Sequence, residues 1–217
     1  NLRPKKKEGF LKIISIFSFL GIMLGVAILI IVMSVMNGFK TDLTNKIIGL
    51  NPHVVIQSNG FNIDEKYISK IKDNFKDISI SKTYSGEGVI INNDQAKGII
   101  FKGVNIGEKK IQEFLEKNIV SGDVKKFKKN NIFIGSELAF NLNLEEGDTI
   151  NLMSSAFVAT PLGSLPKQEN FTIAGIFNTG FVEFDQNIIF LSIEDSLSIF
   201  NKDSKDQNLE IYLKDPL

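Results

Sequence analysis

The side chains best suited to chemistry are scarce in this chain, and their spacing builds little catalysis. His53 is the only histidine and there is no cysteine. A Ser-His-Asp triad would have to run through His53, thiolate chemistry and Fe–S clusters are excluded, and a multi-histidine metal site cannot form. His53 opens His53-Val-Val-Ile-Gln57 directly after Pro52, which reads as a strand edge rather than a general base. Glu145, Glu146 and Asp148 gather in a turn, where carboxylates are ordinarily solvated. Paired-carboxylate hydrolysis would need a cleft that nothing around them announces. Gly86-Glu-Gly88 lacks a third glycine and a following helix, and no Gly-Lys-Ser or Gly-Lys-Thr occurs, so the chain has no P-loop for ATP. The expectation is a non-catalytic protein without a cofactor.

Binding chemistry is better placed. Met153 and Phe171 flank a connection, 154–170, that is long for two neighbouring strands. It is apolar at Phe157, Val158, Leu162 and Leu165, where a solvated loop is normally polar. Pro161 and Pro166 fix local φ and lower the entropy cost of holding one shape. A stiff, protruding, apolar loop is how a partner-binding finger is built. A loop folded down onto its own domain would bury the same side chains, and the residues alone leave both open.

The element that dominates the chain is an uncharged run of 27 residues, Ile13 to Phe39. As a helix it rises roughly 40 Å, against about 30 Å of bilayer hydrocarbon. A backbone in lipid must satisfy its own hydrogen bonds, so a crossing run is helical. Arg3, Lys5, Lys6, Lys7 and Lys12 precede it with only Glu8 against them, whereas Lys40, Asp42 and Lys46 after it nearly balance. The positive-inside rule puts residues 1–12 in the cytoplasm and exports the remainder. A signal peptide is the competing reading, but the run exceeds the usual apolar region of about 7–15 residues, and Ser34-Val-Met-Asn37 is a poor cleavage site. The chain starts without Met, so residues are expected to be missing at its front. Leu43, Ile47 and Ile48 keep one helical face beyond the run, which predicts a stalk to Ile48, with Gly49 near the C-cap and Asn51-Pro52 blocking continuation. A break at Asn37-Gly38 is the alternative. Gly21-Ile-Met-Leu-Gly25 would let another helix approach closely, although the pattern is also common by chance.

Beyond Pro52 the pattern is mixed and predicts an α+β domain large enough for one sizeable core or two small ones. Lys plus Arg and Asp plus Glu both number 25, so no charge excess points to nucleic acid. Strands are expected at Val54–Gln57, Val89–Ile91, Gly98–Val104, Ile132–Ile134, Thr149–Met153, Phe171–Phe177, Ile188–Leu191 and Leu209–Leu213. Turns are expected at Asn92-Asn93-Asp94 and at Ser121-Gly122-Asp123, and the last strand is expected to end at Asp215-Pro216. Helices are expected at Asp64–Phe75, with Tyr67, Ile68, Ile71 and Phe75 on one stripe, and at Ile111–Lys117 and Ser136–Asn141. A further helix is capped by Ser192 with Asp195 in a capping box and runs to Phe200. Lys125 to Lys129 form a basic loop that could meet anionic headgroups or simply face acidic neighbours.

Six stretches carry a family likeness. Arg3-Pro-Lys-Lys-Lys-Glu-Gly-Phe10, Phe19-Leu-Gly-Ile-Met-Leu-Gly-Val26 and Val35-Met-Asn-Gly-Phe39 resemble the first membrane segment of the lipoprotein-releasing ABC transporter permeases of the LolC/LolE type. Gly135-Ser-Glu-Leu-Ala139 with Glu146-Gly-Asp-Thr149 resembles the exported domain shared by that family and MacB-type permeases. Thr160-Pro-Leu-Gly-Ser-Leu-Pro-Lys-Gln168 is similar to the hook of the LolC-type subunit.

The resemblance implies a subunit with four membrane helices and a periplasmic domain between the first two, of which this chain is an N-terminal portion. It implies a transmembrane helix and stalk at 13–48, then a MacB-like periplasmic domain at 49–217. That domain would have a split α/β porter lobe (about 50–104 and 183–217) and an inserted, mainly-β lobe (about 105–182) bearing the hook at 156–166. It implies a hook surface of Phe157, Val158, Thr160, Pro161, Leu162, Gly163, Leu165 and Pro166 that docks a LolA-like periplasmic carrier. Val35, Met36 and Phe39 would lie on the lipoprotein path, where lipid or interhelix contact is the equal alternative, and Gly21 and Gly25 would pack another helix. The implied partners are a LolD-like ATPase subunit, a second permease subunit (LolE-like or a second copy) and the lipoprotein substrate, in the bacterial inner membrane. A LolC-type and a hybrid subunit stay open. A MacB- or FtsX-like permease for efflux or cell-wall hydrolase control is the rival, and it would not need the proline-framed hook.

Overall fold

The computed structural model describes residues 5–58, 63–75, 77–92, 95–161 and 163–213, with the side chains of 5–8 and 42–50 also outside the description. Asn93, Asp94, Leu162, Asp215 and Pro216, all named above, therefore lie outside it. The chain divides into two compact units between Leu50 and Asn51.

The first unit is one helix, α1 (Lys5–Leu50). It runs through Asn37-Gly38 without a break, and the Thr41 hydroxyl donates to the Asn37 carbonyl at 2.9 Å across that turn. Gly9–Thr41, 33 residues whose most apolar 18-residue window has a mean hydropathy of 2.9, is long and apolar enough to cross a membrane, and none of it is buried. The helix continues to Leu50, past the expected end at Ile48, while the Leu43, Ile47 and Ile48 side chains are outside the description. It ends two residues before Pro52, whose ring disfavours helix in the residue before it.

The second unit is built on one nine-stranded sheet. In chain order its elements are β1 (Val54–Ile56), α2 (Glu65–Asn74), β2 (Ile78–Asn92), β3 (Gln95–Val104), α3 (Lys109–Asn118) and β4 (Ile119–Gly122). A 3₁₀ turn at Val124–Lys126 leads to β5 (Asn131–Gly135), α4 (Ser136–Leu142), β6 (Thr149–Thr160) and β7 (Gly163–Phe177). Then come α5 (Val182–Asn187), β8 (Ile188–Ser192), α6 (Ile193–Ile199), a second 3₁₀ turn at Ser204–Asp206 and β9 (Asn208–Leu213). The strands lie in the order β1-β9-β2-β3-β8-β5-β7-β4, and β6 pairs with both β2 and β7. Among the described pairings, β3 with β8 and β5 with β7 run parallel and the others antiparallel. The core packs Ile90, Phe101, Ile132, Ile134, Leu138, Leu152, Phe171, Ile173, Leu191 and Phe200 into one apolar cluster. A second, aromatic cluster joins Phe114, Phe177, Phe184 and Phe190 at centroid distances of 5.3–6.4 Å.

Several expectations need correction. Ser121-Gly122 belongs to β4 rather than to a turn, because Val120 bulges out of the pairing with β7 and the strand continues past it. β2 starts at Ile78, well before Val89, because its inward positions at Ser81 and Thr83 are polar yet buried. α5 was not expected. The stripe of α2 is narrower than its spacing suggests: Ile68 is buried, whereas Tyr67 and Phe75 are exposed. Ser192 does cap α6, accepting from the Asp195 amide at 3.0 Å. The Asp195 carboxylate does not reciprocate; it accepts from the Asn130 amide at 2.8 Å. In the basic segment, Lys126 pairs with Glu146 at 2.8 Å.

Candidate docking hairpin

The expected long loop between Met153 and Phe171 is instead the outer half of a β-hairpin. Thr149–Met153 pairs with Gln168–Thr172, and Phe157–Thr160 pairs with Gly163–Pro166. Between these ladders the register shifts, with residues 154–156 of β6 facing Lys167 alone on β7. From Asn151 to Ser154, β6 has β2 as a second neighbour; beyond Ser154 it has only β7. Burial follows the pairing: Ile150, Leu152 and Ser154 are buried, and no described residue from 155 to 170 is. The two strands approach their end between Thr160 and Gly163, with the Thr160 hydroxyl donating to the Gly163 carbonyl at 2.7 Å. Gly163 holds φ at +117°, a conformation that side chains other than hydrogen rarely adopt.

Register decides what this outer half presents. Directly paired residues share a face of an antiparallel ladder. Phe157 therefore shares one face with Pro166, and Val158 shares the other with Leu165. Phe157 is 62% exposed, Leu165 52% and Val158 43%. A strand with one buried face alternates apolar and polar residues; here both faces are apolar and neither is covered. Exposed apolar side chains on both faces of one tip set this segment apart from the rest of the hairpin. The structure thus brings Phe157, Val158, Thr160, Pro161, Gly163, Leu165 and Pro166 together at one tip, and Leu162 falls outside the described residues.

The other expected residues lie on α1. Val35, Met36 and Phe39 are exposed and share one stripe with Ile31 and Val32, which together line a shallow apolar groove along the helix. Gly21 and Gly25 are exposed on the same helix, and a Cβ built on either meets nothing within 4 Å. His53 sits before β1, donating its amide to the Ile211 carbonyl at 3.0 Å and accepting at Nδ1 from the Leu213 amide at 3.0 Å.

A buried polar network was missed from the sequence. On the strands, Lys102 Nζ meets Glu210 Oε2 at 3.1 Å, and the Tyr212 hydroxyl donates to the same oxygen at 2.6 Å. The Ser81 hydroxyl donates to Glu108, and Lys110 Nζ sits 2.9 Å from the centroid of the Tyr212 ring. Burial pushes the Glu108 carboxyl and the Tyr212 phenol up. Desolvation, with help from the nearby Lys102 charge, lowers Lys110 to about 8. The signal for it was a charged residue inside an apolar run, Lys102 after Ile99-Ile100-Phe101 and Glu210 between Leu209 and Ile211. The network ties β2, β3, β9 and the start of α3 together. Among the described residues, no three His, Asp or Glu side chains converge as metal ligands would.

Family comparison fits this architecture. The chain belongs to the MacB-like periplasmic core domain family, whose model matches residues 15–216. It is similar to the lipoprotein-releasing system transmembrane protein LolC of Neisseria meningitidis serogroup B, at 28% identity over 225 residues, covering 99% of this chain and 53% of that protein. LolC of Buchnera aphidicola subsp. Acyrthosiphon pisum is 33% identical over 223 residues, covering 96% of this chain and 52% of its own. The lipoprotein-releasing system transmembrane protein LolE of Haemophilus influenzae is 28% identical over 226 residues, covering 99% and 53%. The chain thus spans about half the length of the curated relatives it matches.

Proposed function

We propose that this chain is the N-terminal part of a non-catalytic permease subunit of an ABC transporter, one that extracts lipoproteins from the inner membrane and hands them to a periplasmic carrier. The observation that carries the reading is the uncovered, two-faced apolar hairpin tip, in a chain aligned almost end to end with relatives named for lipoprotein release. A preformed hairpin closed by Pro161 and Gly163 offers its apolar side chains with little ordering cost on docking. The carrier is LolA-like. It meets Phe157, Val158 and Leu165, with Thr160, Pro161, Gly163 and Pro166 shaping the tip and Leu162 a further proposed contact.

In this reading α1 crosses the inner membrane with its basic start in the cytoplasm, and the sheet domain stands in the periplasm as a porter lobe and an inserted lobe. The charge step across Ile13–Phe39 supports that orientation. A LolD-like ATPase supplies the energy, and a second permease subunit, LolE-like or another copy, completes the complex. Gly21 and Gly25 give a neighbouring helix its approach. Val35, Met36 and Phe39 contact the acyl chains as they leave lipid, the thioether of Met36 suiting variable packing. ATP binding drives two discrete arrangements, and α1 passes the difference to the periplasmic side.

The test uses the full-length protein with its ATPase in nanodiscs. Replacing 157–166 by a short glycine link should abolish capture of the carrier while the ATPase still co-purifies. Undiminished carrier capture would sink the reading and favour a mechanotransmission permease of the MacB or FtsX kind.

A further inference from the structure

We infer that Ser154 and Lys167 clamp the root of the hairpin's outer half onto the C-terminal end of α6, and that this clamp fixes the direction in which the docking tip points. The consequence for docking rests on the carrier-binding reading above; the clamp itself does not.

The register shift makes the root a natural joint, since residues 154–156 face only Lys167 and the strand loses its second neighbour there. A bulge of this kind bends a ribbon and interrupts its ladder, leaving the fewest backbone bonds at that point to hold the outer half in place. Both strands are tied at that level to the same helix end. Ser154, buried on β6, donates its hydroxyl to the Ile199 carbonyl at 2.6 Å and accepts from the Ala156 amide at 3.2 Å. Lys167 on β7 donates to the Ser198 carbonyl at 2.6 Å and pairs with Glu169 at 3.0 Å, and Ser198 Oγ donates to Glu169 at 3.3 Å. The last carbonyls of a helix have no partner within it: the Ile199 carbonyl takes the Ser154 hydroxyl, and the Ser198 carbonyl, which also accepts from the Asn201 amide at 2.9 Å, takes the Lys167 ammonium on its other lone pair.

The anchor must itself be fixed for a clamp to set a direction, and α6 is. A Cβ on Gly103 would lie 2.3 Å from the Ser196 Cβ, so only a bare backbone lets the helix sit this low on β3. Ser196 Oγ also donates to the Tyr84 carbonyl at 3.1 Å. Phe200, the residue after α6, lies over Gly86 and packs between Tyr84 and Phe101, each ring 5.5 Å away. Ser154 and Lys167 are therefore positioning residues, outside the apolar docking surface.

The chain has no cysteine, so introduced pairs in it can be labelled selectively once any cysteine elsewhere in the full-length protein is replaced by serine. Nitroxides at Ala159→Cys and Lys129→Cys, read by pulsed electron spin resonance on the membrane-embedded protein, report the outer half against its domain. A second pair, Asn170→Cys with Lys129→Cys, reports the inner half. Ser154→Ala with Lys167→Ala should widen the first distance distribution about twofold while the second keeps its width, the mark of a local joint released. Lys167→Arg, which keeps a donor, should restore the narrow distribution in the single-site comparison with Lys167→Ala. Carrier affinity should fall about tenfold with the lost preorganisation. An unchanged first distribution overturns the inference, and so does equal widening of both, which would mean general loosening. If the double variant fails to fold, Lys167→Ala against Lys167→Arg decides on the same readout. Failure of the docking reading shows separately, as Phe157→Ala that leaves carrier binding intact.

Discussion

Truncating Phe157 should weaken carrier docking without disturbing the fold, and the structure sets the size of the effect. An aromatic side chain offers about 200 Å² for burial. Phe157 is 62% exposed, so docking can remove from water roughly 120 Å² of it, worth about 3 kcal/mol at about 25 cal/mol per Å². Binding returns only part of such a figure, because association orders both partners. A loss of about 1.5–3 kcal/mol, ten- to hundredfold in affinity, is the expectation for Phe157→Ala. Leu165→Ala, on the opposite face and 52% exposed, should add a smaller loss. Titration of immobilised full-length protein with the carrier measures both. The outer half has no second strand neighbour, so the melting temperature should move by no more than about 2 °C. Undisturbed affinity with an intact fold refutes the docking role. A large drop in melting temperature refutes the other half of the argument, because it would mean that Phe157 packs against its own domain.

Two further outcomes concern the polar network. Lys102→Met leaves the Glu210 carboxylate without its cation at a site where the two side chains are 11% and 8% exposed. Removing one partner of a buried pair typically costs 3–5 kcal/mol, and about 3 is expected here because the Tyr212 hydroxyl still donates to Glu210. Lys102→Met with Glu210→Leu should recover most of that loss in denaturant unfolding, and a double variant no better than the single would refute the pair's role. Lys110 releases its proton at about 8 in the folded domain and near 10.5 once freed, so between those values the unfolded chain holds more protons. The stability contribution of Lys110 should therefore rise with pH across that window, and Lys110→Gln should flatten the rise in urea unfolding followed from pH 7.5 to 10.

What could be read from the sequence was what periodicity and length report. The uncharged run needed no tertiary context, and α1 occupies it. Short apolar runs such as Ile132–Ile134 and Ile188–Leu191 became β5 and β8 because their side chains are buried almost without exception, which is what an unbroken apolar run encodes. β2 hid because its burial alternates while its hydrophobicity does not. Ser81 and Thr83 point into the polar network or the sheet's covered face, and Gly86 and Gly88 make room for Phe200 and Phe101. A pattern rule that equates buried with apolar cannot find such a strand.

The hairpin shows the same limit from the other side. Pro161 and Pro166 normally demote a run from strand to loop, because proline gives no amide to a ladder. The outer half has a neighbour on one side only, and that is the setting in which a strand tolerates proline. Its apolar residues were legible as a surface feature; its pairing was not, because the register follows from the bulge at 154–156 rather than from alternation. The clamp lay furthest from reach. Ser154 bonds a carbonyl 45 residues away and Lys167 one 31 residues away, and neither residue type is unusual where it stands. Their meaning comes from α6, whose low seat depends in turn on a missing side chain at Gly103. The direction of the docking tip is thus set by residues that never touch what docks there, and a substitution at Ser154 or Lys167 would leave the apolar surface complete but aimed loosely.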